Sequence, residues 1–184
     1  MKPAGRHLTL LHHGPHEALG MRELLVPIYT ATHAHLLKQE PWNAPAAWWQ
    51  RLADIYAKTR DFDLVTAWEG ETMVGYAFGS PNDTGKLWPA IQAVLPHLKP
   101  HGPVYIFREF AVHPERQRLG YGRMIHDELL RIRPEQAAHL LLRKDNETAR
   151  AAYLTWAWIP AGEVKPFEDS QTFDAMALDL TARR

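Results

Sequence analysis

The chain has no cysteine among its 184 residues. That excludes a disulfide framework, a thiolate nucleophile and any metal held by cysteine. It has no net charge either, since 21 Lys+Arg balance 21 Asp+Glu, so it lacks the basic excess on which a nucleic-acid binder's bulk electrostatics depend. No apolar run reaches the roughly 18 residues of a membrane span, and the opening "MKPAGRHLTLLHHGPHEALG" lacks the continuous apolar centre of a secretory signal. These absences predict a soluble, cytoplasmic protein. Histidine is plentiful, with 11 residues, but "LHHGPH" and "THAH" belong to no HExxH-type pattern and no nearby carboxylate completes a ligand set. No metal is expected.

What is present reads as one α/β domain over residues 1–184, long enough to bury a core. "RHLTLLH" is a first strand. Leu19, Leu24, Leu25, Ile28 and Tyr29 recur at helical spacing between Pro15 and about Leu37, with a break or bend expected at Pro27. In "NAPAAWWQRLADIYAKT", Asn43 is the expected N-cap, and Trp48, Leu52, Ile55 and Tyr56 share the inner face. "FDLVTAWEGETMVGYAFGS" is a hairpin around Glu69-Gly70-Glu71. The stretch "PNDTGKLWPAIQAVLPHLKPHGP" (81–103) holds five prolines and is too long for a plain hairpin connection, which marks it as an insert or flap. "VYIFREFAVH" is a strand and "AAHLLLRK" a strand covered on both faces. "NETARAAYLTWAW" is a helix opened by Asn146, and "IPAGEVKPF" and "TFDAMALDL" are closing strands.

The chemistry concentrates in "HPERQRLGYGR", residues 113–123, where a strand gives way to a helix. A helix start leaves N–H groups unpaired and carries partial positive charge, so it suits an anion. Gly120 and Gly122 remove Cβ atoms that would keep a diphosphate from the backbone, and Arg116, Arg118 and Arg123 offer cations for phosphate. A dinucleotide-binding G-x-G-x-x-G would need a small residue where Ile125 stands, and a Walker-type Gly-Lys-Ser/Thr is missing. What remains is Q-x-x-G-x-G, as Gln117-Arg118-Leu119-Gly120-Tyr121-Gly122.

That motif resembles the acyl-CoA-binding turn of the GNAT superfamily of N-acetyltransferases. Twenty-four residues after Gly122, "NETARAAY" resembles the family's second signature, N-x-x-A-x-x-x-Y, through Asn146, Ala149 and Tyr153. The order of elements also agrees, and the likeness is strongest over 62–180. It implies a mixed, mostly antiparallel sheet of about seven strands flanked by helices, with strands four and five splayed. The splay admits the pantetheine arm of coenzyme A against Phe110, Ala111 and Val112, with the N–H of Val112 polarising the thioester carbonyl. The coenzyme diphosphate then lies on residues 117–123, Gln117 through Arg123. Tyr153 is implied as the proton donor to the departing thiolate. Asn146 bonds the coenzyme, caps its helix, or does both.

Glu109, three residues before Val112, is the expected base, because a carboxylate inside an apolar strand calls for a cavity or an ion pair. Glu69, Glu71 and Asp169 are weaker candidates, and His97 or His101 would follow if Glu109 proved structural. The expected partners are acetyl-CoA, as cosubstrate, and an amine acceptor, with no nucleic acid, no membrane, and a homodimer allowed. A small-molecule amine is favoured over a protein lysine or N-terminus, since "PWNAPAAWW" and Trp88 could lid a pocket. A non-catalytic acyl-CoA-binding module and a nucleotide enzyme are the rival classes.

Overall fold

The computed structural model describes residues 7–37, 41–166, 168 and 170–183. Arg6 of the expected first strand and Asp169 lie outside them. Seven strands form one mixed sheet in the order β1-β2-β3-β4-β5-β7-β6. The strands are β1 Leu8–His13, β2 Asp63–Glu69, β3 Thr72–Asn82, β4 Val104–Val112, β5 Ala137–Arg143, β6 Ile159–Val164 and β7 Phe173–Asp179. β4 and β5 run parallel, at Tyr105–Ala138 and Ile106–His139, whereas β1–β2, β2–β3, β5–β7 and β6–β7 are antiparallel. The chain divides into two compact units, residues 1–80 with 109–132 and residues 81–108 with 133–184.

In the first unit the helices are α1 Pro15–Leu19, α2 Arg22–Thr32, α3 Pro45–Asp54 and α5 Tyr121–Leu130. Of the break or bend expected at Pro27, the break falls instead at Gly20–Met21, and Pro27 lies inside α2. Gly20 ends the first turn by returning its N–H to Glu17, so the chain has already restarted when it reaches the proline. Asn43 is not the cap of α3 either, because Ala44 occupies that position. Asn43 is buried one residue earlier and donates its side-chain amide to the Leu36 carbonyl. Ile55, expected inside, is 56% exposed because α3 stops at Asp54 and the chain turns. Leu25, Tyr29, Trp48, Leu52, Tyr76, Phe78 and Ala111 join one core under α2 and α3. Here the period-2 alternation of β3 places Tyr76 and Phe78 on the same face. At α5, His12 holds Asp63 through Nδ1 (2.9 Å) and Glu128 through Nε2 (3.0 Å), tying β1 and β2 to that helix.

The second unit contains α4 Trp88–Val94 and α6 Glu147–Thr155. The 81–103 segment buries Trp88, Ile91, Leu95 and Leu98 against Val104, Ala137 and Ala177, so it supplies core. Phe107 alternates to the other face and meets Tyr153 and Trp158 edge to face. On β5, His139 is 3% exposed and its Nε2 has no hydrogen-bond partner among the described residues. Burial alone lowers its pKa to about 4. A neutral folded imidazole binds no proton where the unfolded chain's does, so stability should fall as pH drops from the unfolded value toward 4. A loss of order 3 kcal/mol is expected over that window. Urea titrations at several pH values should show it in the wild type and not in His139→Leu.

Candidate active site

β4 ends at Val112, a 3-10 turn spans Pro114–Arg116, and α5 starts at Tyr121. The Gln117 side chain donates to the Val112 carbonyl (3.0 Å), folding the loop back on the strand that leads into it. Arg118 has φ 61 and Gly120 φ 85, two left-handed residues that turn the backbone toward the helix start. Only glycine takes such a torsion freely. Gly122 lies one residue inside α5, so its value there is the missing side chain. Gly120 is the N-cap and supplies no side-chain bond, which leaves the first-turn N–H groups to solvent or to a ligand.

The three arginines have different partners. Arg116 donates through Nε to Glu69 Oε2 (2.8 Å), and Tyr121 donates its hydroxyl to the other oxygen of Glu69. Glu69, which the sequence offers only as a weak base, is therefore the anchor of the loop. Arg123 pairs with Asp127 one turn along α5 (2.5 Å). Arg118 makes no hydrogen bond or ion pair among the described residues and stands exposed beside the exposed Leu119.

A valine at position 120 would meet no protein atom within 4 Å at its Cβ, so its cost is torsional. That strain is about 1–3 kcal/mol and is relieved by re-aiming the first turn of α5. Gly120→Val should therefore fold yet lose acetyl-CoA affinity by about tenfold or more. Calorimetry checks it, and wild-type affinity in a folded variant would remove the phosphate role from this turn.

Alongside the loop, β3 and the end of β4 approach closely. His113 donates its N–H to the Val74 carbonyl (2.8 Å), and a Cβ on Gly75 would stand 2.8 Å from the Ala111 carbonyl. Since His113 faces β3, strand alternation turns the N–H and C=O of Val112 to the edge away from β3. Phe110 shares that edge and is half-buried, while Ala111 and Val112 are buried.

Glu109 shares a face with Ala111 and points into the core under α2 and α3. The Trp48 indole donates to its Oε2 (3.0 Å), and His33 Nε2 stands 3.8 Å from its Oε1. Burial raises the carboxyl above its ordinary range, opposed by His33, the Trp48 hydrogen bond, Arg51 and the Phe110 backbone. Tyr29 stacks between His33 (4.2 Å) and Trp48 (4.5 Å), and its phenol donates to the Asn43 carbonyl. Burial and then Glu109 push the Tyr29 phenol up to about 12. Sequence reasoning did not join Tyr29, His33, Trp48 or Tyr76 to Glu109. They come from three other elements, and no spacing links them.

Tyr153, in the second unit, is 6% exposed and packed edge to face with Phe107, Trp156 and Trp158. Asn146 caps α6, its Oδ1 accepting from the Ala149 N–H (3.1 Å). His97 pairs with Asp179 (2.6 Å). A cavity of about 430 Å³ lined by Trp88, Gln92 and His101 among others has no carboxylate in its wall, so it offers no strong base.

The family model of the GNAT acetyltransferases matches residues 20–156. The chain belongs to the GNAT family of acetyltransferases. Among curated proteins none matches this sequence. Solved structures similar to this GNAT chain include PH1933 of Pyrococcus horikoshii OT3, at 17% identity, covering 94% of this chain and 98% of that one, with a TM-score of 0.67. The ribosomal-protein-S18-alanine N-acetyltransferase of Escherichia coli shows 16% identity over 95% and 94%, with a TM-score of 0.63. The PaiA N-acetyltransferase of Thermoplasma acidophilum in complex with coenzyme A shows 10% over 94% and 99%, with a TM-score of 0.60. At these identities the likeness is one of fold, and it agrees with the mixed sheet of about seven strands flanked by helices expected from the sequence. Membership carries acetyl-CoA-dependent acetyl transfer with it. No helix among the described residues is long and apolar enough to cross a membrane, and none of their His, Asp and Glu side chains cluster as a metal site.

Proposed function

We propose that this chain moves the acetyl group of acetyl-CoA to the nitrogen of a primary amine, in a ternary complex and without an acyl-enzyme. The observation that carries the proposal is Glu109: a half-buried carboxylate, its side chain 21% exposed, with one oxygen held by Trp48 and the other 3.8 Å from His33 Nε2. An alkylamine has a pKa near 10.4 and reaches the enzyme protonated, so a base that accepts its proton is the first requirement. A raised carboxyl pKa brings Glu109 nearer to that task. That two structural neighbours are named N-acetyltransferases supports nitrogen as the acceptor atom.

In the proposed step the amine gives a proton to Glu109, directly or through water, and its lone pair attacks the thioester carbon. The C–N bond forms, the oxyanion is met by the Val112 N–H, the nitrogen gives its second proton to water, and the C–S bond breaks. Tyr153 then hydrogen-bonds the leaving thiolate and delivers a proton late, since an ordinary phenol (pKa about 10) is a weaker acid than a thiol (about 8.5), and the phenolate takes a proton back from water. The products are an N-acetyl amide and free coenzyme A. The first turn of α5, with Gly120 and Gly122 bare, holds the diphosphate, and Arg118 is the arginine placed to reach a further phosphate. The aromatic walls around Glu109 favour a small amine over a polypeptide. Initial rates at varied acetyl-CoA and amine test the order of events. Intersecting double-reciprocal lines are expected, and parallel lines would mean a covalent intermediate.

A further inference from the structure

A carboxylate stands against the turn that would receive a diphosphate, where a negative charge by itself opposes an anion. It belongs to Glu69, the last residue of β2, which pairs with Leu8 of β1 on one side and with Thr72 of β3 on the other, so the sheet fixes its backbone. Its two oxygens take different partners. Oε2 accepts from Arg116 Nε (2.8 Å), in the 3-10 turn, and Oε1 accepts from the hydroxyl of Tyr121, the first residue of α5. One carboxylate therefore holds the chain just before and just after residues 117–120, the segment in which Arg118 and Gly120 take left-handed torsions. Tyr121 is buried and Glu69 half-buried, and hydrogen bonds to an ionised acceptor are stronger than neutral ones.

From this arrangement we infer that Glu69 is a positioning residue for coenzyme A: it clamps residues 117–120 into their anion-receiving shape before the coenzyme arrives, and Arg116 serves the clamp and not the phosphates. This rests on the reading that places the coenzyme diphosphate at the first turn of α5. A loop that already has its bound shape spares the ligand the entropy of ordering it. The other side-chain tie, from Gln117 to the Val112 carbonyl (3.0 Å), fixes only the start of the segment. Arg118, Leu119 and Gly120 follow, and the strained torsion of Arg118 persists only where the surroundings hold it. Arg116 also answers the charge of Glu69, so the pair is close to neutral toward an approaching phosphate. With Arg123 paired to Asp127, the cation left for phosphate is Arg118.

The test is calorimetric titration of coenzyme A, and of pantetheine as the same arm without phosphates, into wild type, Glu69→Ala, Glu69→Gln and Tyr121→Phe. If charge alone mattered, removing a carboxylate would tighten the anion, and the clamp predicts the opposite sign. Glu69→Ala should weaken coenzyme A by about tenfold, and Glu69→Gln, which keeps one acceptor oxygen, by less. Tyr121→Phe should weaken it about threefold and cost nothing more when combined with Glu69→Ala, since both remove the same bond. Pantetheine should bind all these variants as it binds the wild type, which a general loss of structure would not allow. Coenzyme A bound as tightly or more tightly by Glu69→Ala overturns the clamp, and so does an equal loss of pantetheine affinity. Should Glu69→Ala not fold, wild-type or tighter binding by Glu69→Gln and Tyr121→Phe overturns it in the same way. Gly120→Val then decides the reading beneath it. If that variant still weakens coenzyme A, the diphosphate placement stands without a clamp, and if it binds normally the placement falls as well.

Discussion

Tyr153→Phe is expected to bind acetyl-CoA as the wild type does and to turn it over about 10- to 1000-fold more slowly. The range is that of a single general acid removed from a step whose remaining parts stay in place. Phenylalanine keeps the ring, and the ring is what Phe107, Trp156 and Trp158 pack against, so the edge-to-face contacts survive and melting should change little. Stopped-flow or quench measurements of the chemical step, beside calorimetry with acetyl-CoA, separate the two effects. A variant that is slow because the coenzyme binds poorly would make Tyr153 a packing residue. A variant at full speed in a rate-limiting chemical step would do the same.

Glu109→Gln should show the second large effect, and it depends on pH in a definite direction. The wild-type rate should climb as Glu109 ionises through its raised pKa, and the variant should lack that limb. The deficit is greatest where the amine is still protonated and shrinks toward the amine's own pKa of about 10.4. Stability should respond in the opposite sense. The folded state holds the Glu109 proton more tightly than the unfolded chain, so this carboxyl's own contribution to stability is lost as pH rises from about 4.3 to the raised value. Glutamine carries no such cost and can still accept from the Trp48 indole. The variant should therefore melt level with or above the wild type at neutral pH, and the two should converge near pH 4. A lower melting temperature with an unchanged pH–rate profile would make Glu109 a structural residue.

Much of this architecture was legible because it rests on local rules. Alternation and turn chemistry marked the Gly70 hairpin, and the strand–loop–helix at 113–123 could be placed from its glycines and its helical spacing alone. The errors are equally local. Pro27 looked like a break or bend, and the break comes earlier, where the Gly20 turn separates α1 from α2. Asn43 looked like a cap, but burying its amide against the Leu36 carbonyl took precedence. Less of the candidate site could be read. The arginines of the loop were interchangeable in sequence, and only the fold shows Glu69 taking Arg116 while Asp127 takes Arg123. Glu109 stood out as a charge in an apolar strand. Its partners did not, because His33 and Trp48 reach it through tertiary packing between residues 76 and 61 positions away.

The most direct test of the account is to follow an isotope-labelled acetyl group from acetyl-CoA in the presence of a panel of primary amines, measuring free thiol and labelled products together. The account predicts that with at least one of these amines the label appears as its N-acetyl amide, one equivalent for each thiol released, and that thiol release falls to background without the amine. Thiol released with the label recovered as acetate, at the same rate with and without amine, would contradict it.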